Sequence, residues 1–202
     1  MQHIIDNMKS NIEQVSEISG ALLEFVKNHP GLLDGDAVVG TCTHYSRKFI
    51  KTYPQLNAIL VHLVGYRTSR SGRSKHYAAY PNPDPDMYHT VVLINNLVCD
   101  FTQRQFDHRA VIPHTSSWNE LVAEWCVIAH DDIAIEDELC FRTHPRTKDD
   151  YVWWEDKLRS NQILLTGTID TNPHIANFEM LKATYGRSKI RAWFAKFRFW
   201  RK

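Results

Sequence analysis

Three short segments carry the residues of this chain best suited to covalent chemistry. They are Gly40-Thr41-Cys42-Thr43-His44-Tyr45-Ser46, Tyr88-His89-Thr90-Val91-Val92-Leu93-Ile94 and Cys99-Asp100-Phe101-Thr102-Gln103-Arg104-Gln105-Phe106. A thiol attacks a carbonyl as thiolate, and a neighbouring imidazole can take its proton and hold the charge. In such a site Cys42 is the nucleophile, and His89 is the base that later protonates a leaving amine. Asp100 holds the imidazole tautomer and stabilises imidazolium. Each residue alone also has a packing role: a buried helix start, a satisfied strand histidine and a strand-end cap. The chain order and the elements on which the three fall favour the chemical reading.

Those elements follow from local signals. Thr41 or Thr43 can cap a helix that begins near Cys42 and stops near Tyr53, before Pro54. A cysteine in a first turn meets unpaired backbone N–H groups and the positive end of the helix dipole, and both favour thiolate. The apolar runs His89–Ile94 and Leu97–Phe101 flank Asn95-Asn96, and asparagine tolerates positive φ. The spacing predicts a hairpin with a two-residue turn. Its register pairs Ile94 with Leu97, Val91 with Asp100 and His89 with Thr102. His89 and Asp100 then share a face, about 7–8 Å apart by backbone. A three-residue turn would put them on opposite faces.

Elsewhere Ile12, Val15, Ile18, Leu22 and Val26 mark a helix over Asn11–Asn28, broken at His29-Pro30-Gly31. Ala58–Gly65 reads as a strand, and the proline-rich Pro81–Asp86 as irregular. Ser116–Glu124 is a short helix, Trp125–Ala129 a strand and Asp131–Asp150 an acidic loop. Tyr151–Gln162, Pro173–Tyr185 and Ser188–Trp200 read as helices. Helices, a strand cluster, then helices predict an α+β fold.

Supporting groups are fewer. The backbone N–H of Cys42, assisted by Thr41 or Thr43, would stabilise an oxyanion. Gln103 and Gln105 can donate to substrate or to the acid, or fix the turn after the strand. His44, two residues past Cys42, points away on a helix, and His62 sits on an apolar strand as a core histidine. The remaining histidines show no paired metal spacing, so no metal and no cofactor are expected. Cys99 and Cys126 lie in apolar runs as small hydrophobes, and Cys140 forms no C-x-x-C pair with any of the others.

Charge is balanced overall at +1 but unevenly placed. Residues 187–202 hold seven basic residues and no acid, which leaves −6 on residues 1–186. In that tail Ile190, Trp193, Phe194, Phe197 and Trp200 share one helical stripe, with Arg191, Arg198 and lysines elsewhere. Such a helix can dock its stripe on the body, lie at a membrane surface, or contact nucleic acid. Arg67, Arg70, Arg73 and Lys75 form a basic loop, read as a solvated segment or as a rim of the site. The N-terminus shows no h-region, so the expected location is the cytoplasm, or a host cytosol reached without a classical signal peptide.

The run from Tyr88 to Phe106 resembles the His-strand, turn and Asp-x-Thr-x-Arg-Gln-Phe segment of papain-like-fold toxin and effector domains. That group includes peptidases and protein glutamine deamidases, and its upstream cysteine falls on Cys42. The resemblance covers roughly residues 35–130. It implies a papain-like α+β fold, with the nucleophile on an N-terminal helix packed against a small antiparallel sheet carrying His and Asp. It implies a catalytic domain over residues 1–150, with a helical extension over 151–202. It implies Cys42 as nucleophile, His89 as base and Asp100 as orienting acid, acting on an amide of a protein substrate. In one respect the chain departs from papain-type peptidases: Asp34–Thr41 contains no glutamine before the nucleophile. A transglutaminase-like acyl transfer shares the thioester step. A non-catalytic module that binds membrane, nucleic acid or protein through the basic tail is the rival reading.

Overall fold

Asn95, at φ 56°, turns the chain back on itself, and the hairpin it makes carries the predicted register. Val92 pairs with Cys99, Leu93 with Val98 and Ile94 with Leu97. The computed structural model describes residues 2–67, 84–130, 135, 138, 139 and 142–186, with residues 2–12, 84 and 85 described by backbone alone. The fold is α+β, with a six-stranded antiparallel sheet and five α-helices among the described residues. The strands are β1 (Ile59–Tyr66), β2 (Asp84–Ile94), β3 (Leu97–Asp100), β4 (His114–Ser117), β5 (Trp125–His130) and β6 (Ile163–Leu165). Their order is β4-β3-β2-β1-β5-β6. The helices are α1 (Gln2–Asn28), α2 (Cys42–Thr52), α3 (Trp118–Glu124), α4 (Lys148–Arg159) and α5 (Pro173–Leu181).

Several elements differ from expectation. α1 begins at Gln2 rather than Asn11, and β2 begins at Asp84, where Pro85 was read as a breaker. Proline's fixed φ is compatible with extended chain, so it excludes a helix there but not a strand. β4 and β6 were not foreseen, being four and three residues long. α5 gives way to a π turn over Lys182–Gly186. The basic aromatic tail, with Trp193 and Arg198, and the loop residues Arg70 and Arg73 lie outside the described residues. No helix among the described residues is long and apolar enough to cross a membrane.

The chain divides into two compact units, and the division does not fall at residue 150. One unit comprises described residues of 2–61 and 89–121, the other those of 62–67, 84–88 and 122–186. Strands β1 and β2 contribute to both. In the first unit, the helical spacing of Ile18, Leu22 and Phe25 on α1 brings that face onto Phe49 of α2. Phe25 meets Phe49 at 5.3 Å and Phe101 at 4.8 Å between ring centroids, and Phe49 meets Phe101 at 4.9 Å. Val92, Ile94 and Cys99 complete this core from the hairpin. Burial of each such side chain contributes about 1.5–3 kcal/mol.

The second unit is built on β5, where Trp125 to Ala129 are all buried, as suits a strand covered on both faces. β5 pairs with β6 through Val127 with Leu165 and Ala129 with Ile163. Trp154 of α4 packs beneath and donates its indole N–H to the Arg142 carbonyl at 2.8 Å. α4 starts at Lys148, earlier than expected, because Thr147 and Asp150 form a capping box. Arg67, expected in the basic loop, belongs to this unit instead. Its guanidinium donates to the carbonyls of Val122 at 2.7 Å and Trp125 at 2.5 Å, and to the Thr166 hydroxyl at 2.8 Å.

Candidate active site

The first unit brings Cys42, His89 and Asp100 together. Gly40 adopts φ 73°, a left-handed step that glycine takes without strain, and Thr41 follows as the N-cap of α2. Cys42 is therefore the first helical residue, with its amide among the donors that no preceding turn satisfies. α2 is fixed against β2 by two hydroxyls. Thr43 Oγ1 lies 2.9 Å from Thr90 Oγ1, and Ser46 Oγ donates to the Thr90 carbonyl at 3.2 Å. The Thr90 backbone N–H in turn donates to the Cys42 sulfur.

His89 is fully buried, its ring edge-on to Phe106 at 4.8 Å. Its Nε2 lies 2.7 Å from Asp100 Oδ2, and its side chain shares a hydrogen bond with the Cys42 thiol. With Nε2 committed to the carboxylate, Nδ1 is the nitrogen available to the sulfur. Asp100 is itself held by the chain that follows it. Thr102 donates to Oδ1 through its backbone N–H at 2.7 Å and its hydroxyl at 3.3 Å, an Asx-type turn. That anchoring leaves Oδ2 pointing at the imidazole.

The electrostatics favour an ion pair. Burial opposes charge on Cys42, but the His89 hydrogen bond, the His89 charge and the Thr90 N–H outweigh it. The thiol pKa lies below its ordinary value. Burial likewise opposes imidazolium, and the Asp100 carboxylate overcomes it, so that His89 is raised to about 10. One group is lowered and its partner raised, so both shifts favour the thiolate–imidazolium form over the neutral pair. The other described thiols behave oppositely: burial raises Cys126, and burial beside Asp100 raises Cys99 to about 12.

No family model, curated protein or solved structure matches this chain. The site therefore stands on its own geometry.

The supporting groups fall differently from expectation. Thr41 sends its hydroxyl to the Val38 carbonyl at 2.7 Å rather than toward the sulfur. Thr43 faces Thr90, so it holds the helix in place. Gln103 is buried in a short 3-10 turn and forms no side-chain hydrogen bond to Cys42, His89 or Asp100; its carbonyl accepts from Phe106 and Asp107. Gln105, and not Gln103, is the glutamine that reaches the site. Its Nε2 lies 3.2 Å from His89 Nδ1 and 3.2 Å from Thr102 Oγ1. The signal that separates the two glutamines is the tight turn opened by the Asx motif, which carries residue 105 back over residue 102. His44 is exposed on α2, and His62 is buried with Nδ1 2.8 Å from the Tyr88 hydroxyl. Among the described residues no group of histidine, cysteine and carboxylate side chains has the makings of a metal site.

Proposed function

We propose that this protein is a papain-like thiol hydrolase that acts on an amide of a protein substrate, as a peptidase, isopeptidase or glutamine deamidase. The observation that carries the reading is the continuous chain of contacts from the Cys42 thiol at the start of α2 through His89 to Asp100. The Cys42 thiolate attacks the amide carbon, and the carbonyl π electrons move to oxygen. The Cys42 backbone N–H, at the positive end of α2, donates to that oxyanion. As the C–N bond breaks, imidazolium Nδ1 passes its proton to the leaving nitrogen, giving an amine or ammonia and a thioester. His89, now neutral, takes a proton from water, whose oxygen attacks the thioester. The acid leaves, and the proton on Nδ1 again faces a thiolate. Asp100 keeps the ring oriented throughout and stabilises its charged form.

Cleavage and deamidation share every step and differ only in the amine that departs. The test is incubation of the wild type and a Cys42→Ser variant with a mixed protein extract, with mass spectrometry of new N-termini and of glutamine-to-glutamate conversion. Products that need Cys42 support the proposal. Identical product sets from the two proteins overturn it.

A further inference from the structure

Gln105 is 1% exposed and closes a ring of contacts around the proposed acid and base. Asp100 Oδ2 meets His89 Nε2, His89 Nδ1 meets Gln105, Gln105 meets Thr102, and Thr102 returns to Asp100 Oδ1. The ring fixes which end of the Gln105 amide faces the histidine. The Thr102 hydroxyl spends its proton on Asp100, so its oxygen has only lone pairs to offer, and a partner there must be a donor. Gln105 Nε2 supplies one hydrogen to Thr102 and aims the other at His89 Nδ1. An imidazole nitrogen has a single in-plane position: protonated, Nδ1 donates to the Cys42 sulfur, and bare, it accepts from Gln105. A donor held there therefore favours the bare form.

We propose that Gln105 is a positioning residue that holds His89 Nδ1 as an acceptor and so favours the neutral imidazole. The proposal rests on the thiol hydrolase reading and adds a division of labour to it. Asp100 supports the imidazolium that accompanies the thiolate. Gln105 supports the neutral ring that remains once Nδ1 has protonated the leaving amine, when the sulfur is acylated and offers no proton. The neutral ring is then held at Nε2 and Nδ1 in the orientation that takes a proton from water. Among the described residues the titratable groups facing His89 are Cys42 from α2 and Asp100 from β3, while Gln105, Thr102 and Phe106 are uncharged.

The test is a nitrogen NMR titration of the His89 ring in the full chain, without substrate, for wild type, Gln105→Met and Gln105→Glu. Methionine keeps the length and removes the donor, so the alkaline step of the Cys42–His89 pair should rise by about half a pH unit to one unit. Glutamate places an anion at Nδ1 and should raise it further. An unchanged or lowered step in the folded methionine variant overturns the proposal, because Gln105 would then fill space or accept from Nδ1. Should the methionine variant fail to fold, Gln105→Leu, which likewise lacks a donor, decides by the same sign. Turnover is not part of the readout. A shifted titration alongside Cys42-independent products would retain the role of Gln105 and sink the hydrolase reading.

Discussion

Cys42 and His89 shift in opposite directions in the folded protein, and that has a consequence for stability. His89 is raised from 6.5 to about 10, so its contribution is fully present below pH 6.5 and is lost as pH rises through 10. Cys42 is lowered from 9.0, so its contribution is present above that value and is lost as pH falls through its folded pKa. Above 6.5 the His89 contribution falls with pH while the Cys42 contribution rises up to 9.0, so the two oppose each other in slope, and above 9.0 only that of His89 still changes. The stability that the pair confers should therefore decline as pH rises from 9.0 through 10. Urea unfolding of wild type against a Cys42→Ala, His89→Phe double variant checks this profile. A difference that stays level or grows between pH 9.0 and 10 contradicts the raised His89. At this scale the sequence was informative about the three central residues, because residue type and order carry the chemistry. It was uninformative about Thr41, Thr43, Gln103 and Gln105, whose roles depend on which hydroxyl or amide the backbone happens to face.

At the scale of elements, two local devices can be tested separately. The capping box at the start of α4 has Thr147 accepting from the Asp150 N–H at 3.1 Å and Asp150 accepting from the Thr147 N–H at 2.9 Å. Thr147→Ala should cost about 1 kcal/mol in urea unfolding. Although burial opposes its ionisation, these hydrogen bonds and Arg142 hold Asp150 down to about 2 from 3.8. The stability from its charge is present above pH 3.8 and should be lost as pH falls toward 2. The second device is the hairpin turn. One residue inserted between Asn95 and Asn96 would displace the β2–β3 register, moving Asp100 to the opposite face from His89. Cys42 should then lose its acidic thiol while the rest of the sheet persists, which a pH titration of its alkylation rate reads directly. Asn95-Asn96 was legible because asparagine tolerates the positive φ that a tight turn needs, and Pro54 because its ring fixes φ. β4 and β6 were not, because strands of three or four residues gain their stability from neighbours far along the chain.

At the scale of the molecule, residues of the candidate site span 42 to 105 and belong to one unit, whose core rests on the Phe25, Phe49 and Phe101 rings. Phe49→Ala should cost about 3–5 kcal/mol and abolish both folding of that unit and the reactivity of Cys42. Deletion of residues 187–202 should leave Cys42-dependent products unchanged, whereas a protein whose role is binding through its basic tail would lose its function. The α+β class was legible from the strand cluster that lies between helices along the chain. The division into two units was not, because β1 and β2 each cross it, so no single point along the chain marks it.

The most direct measurement is site-resolved iodoacetamide labelling of all four cysteines across pH, by mass spectrometry, in wild type and His89→Gln. The account predicts that Cys42 alone reacts well below the ordinary thiol pKa of about 8.5, and that this low-pH reactivity disappears without the imidazole. A Cys42 that titrates as an ordinary thiol, or that keeps its reactivity in His89→Gln, contradicts the account.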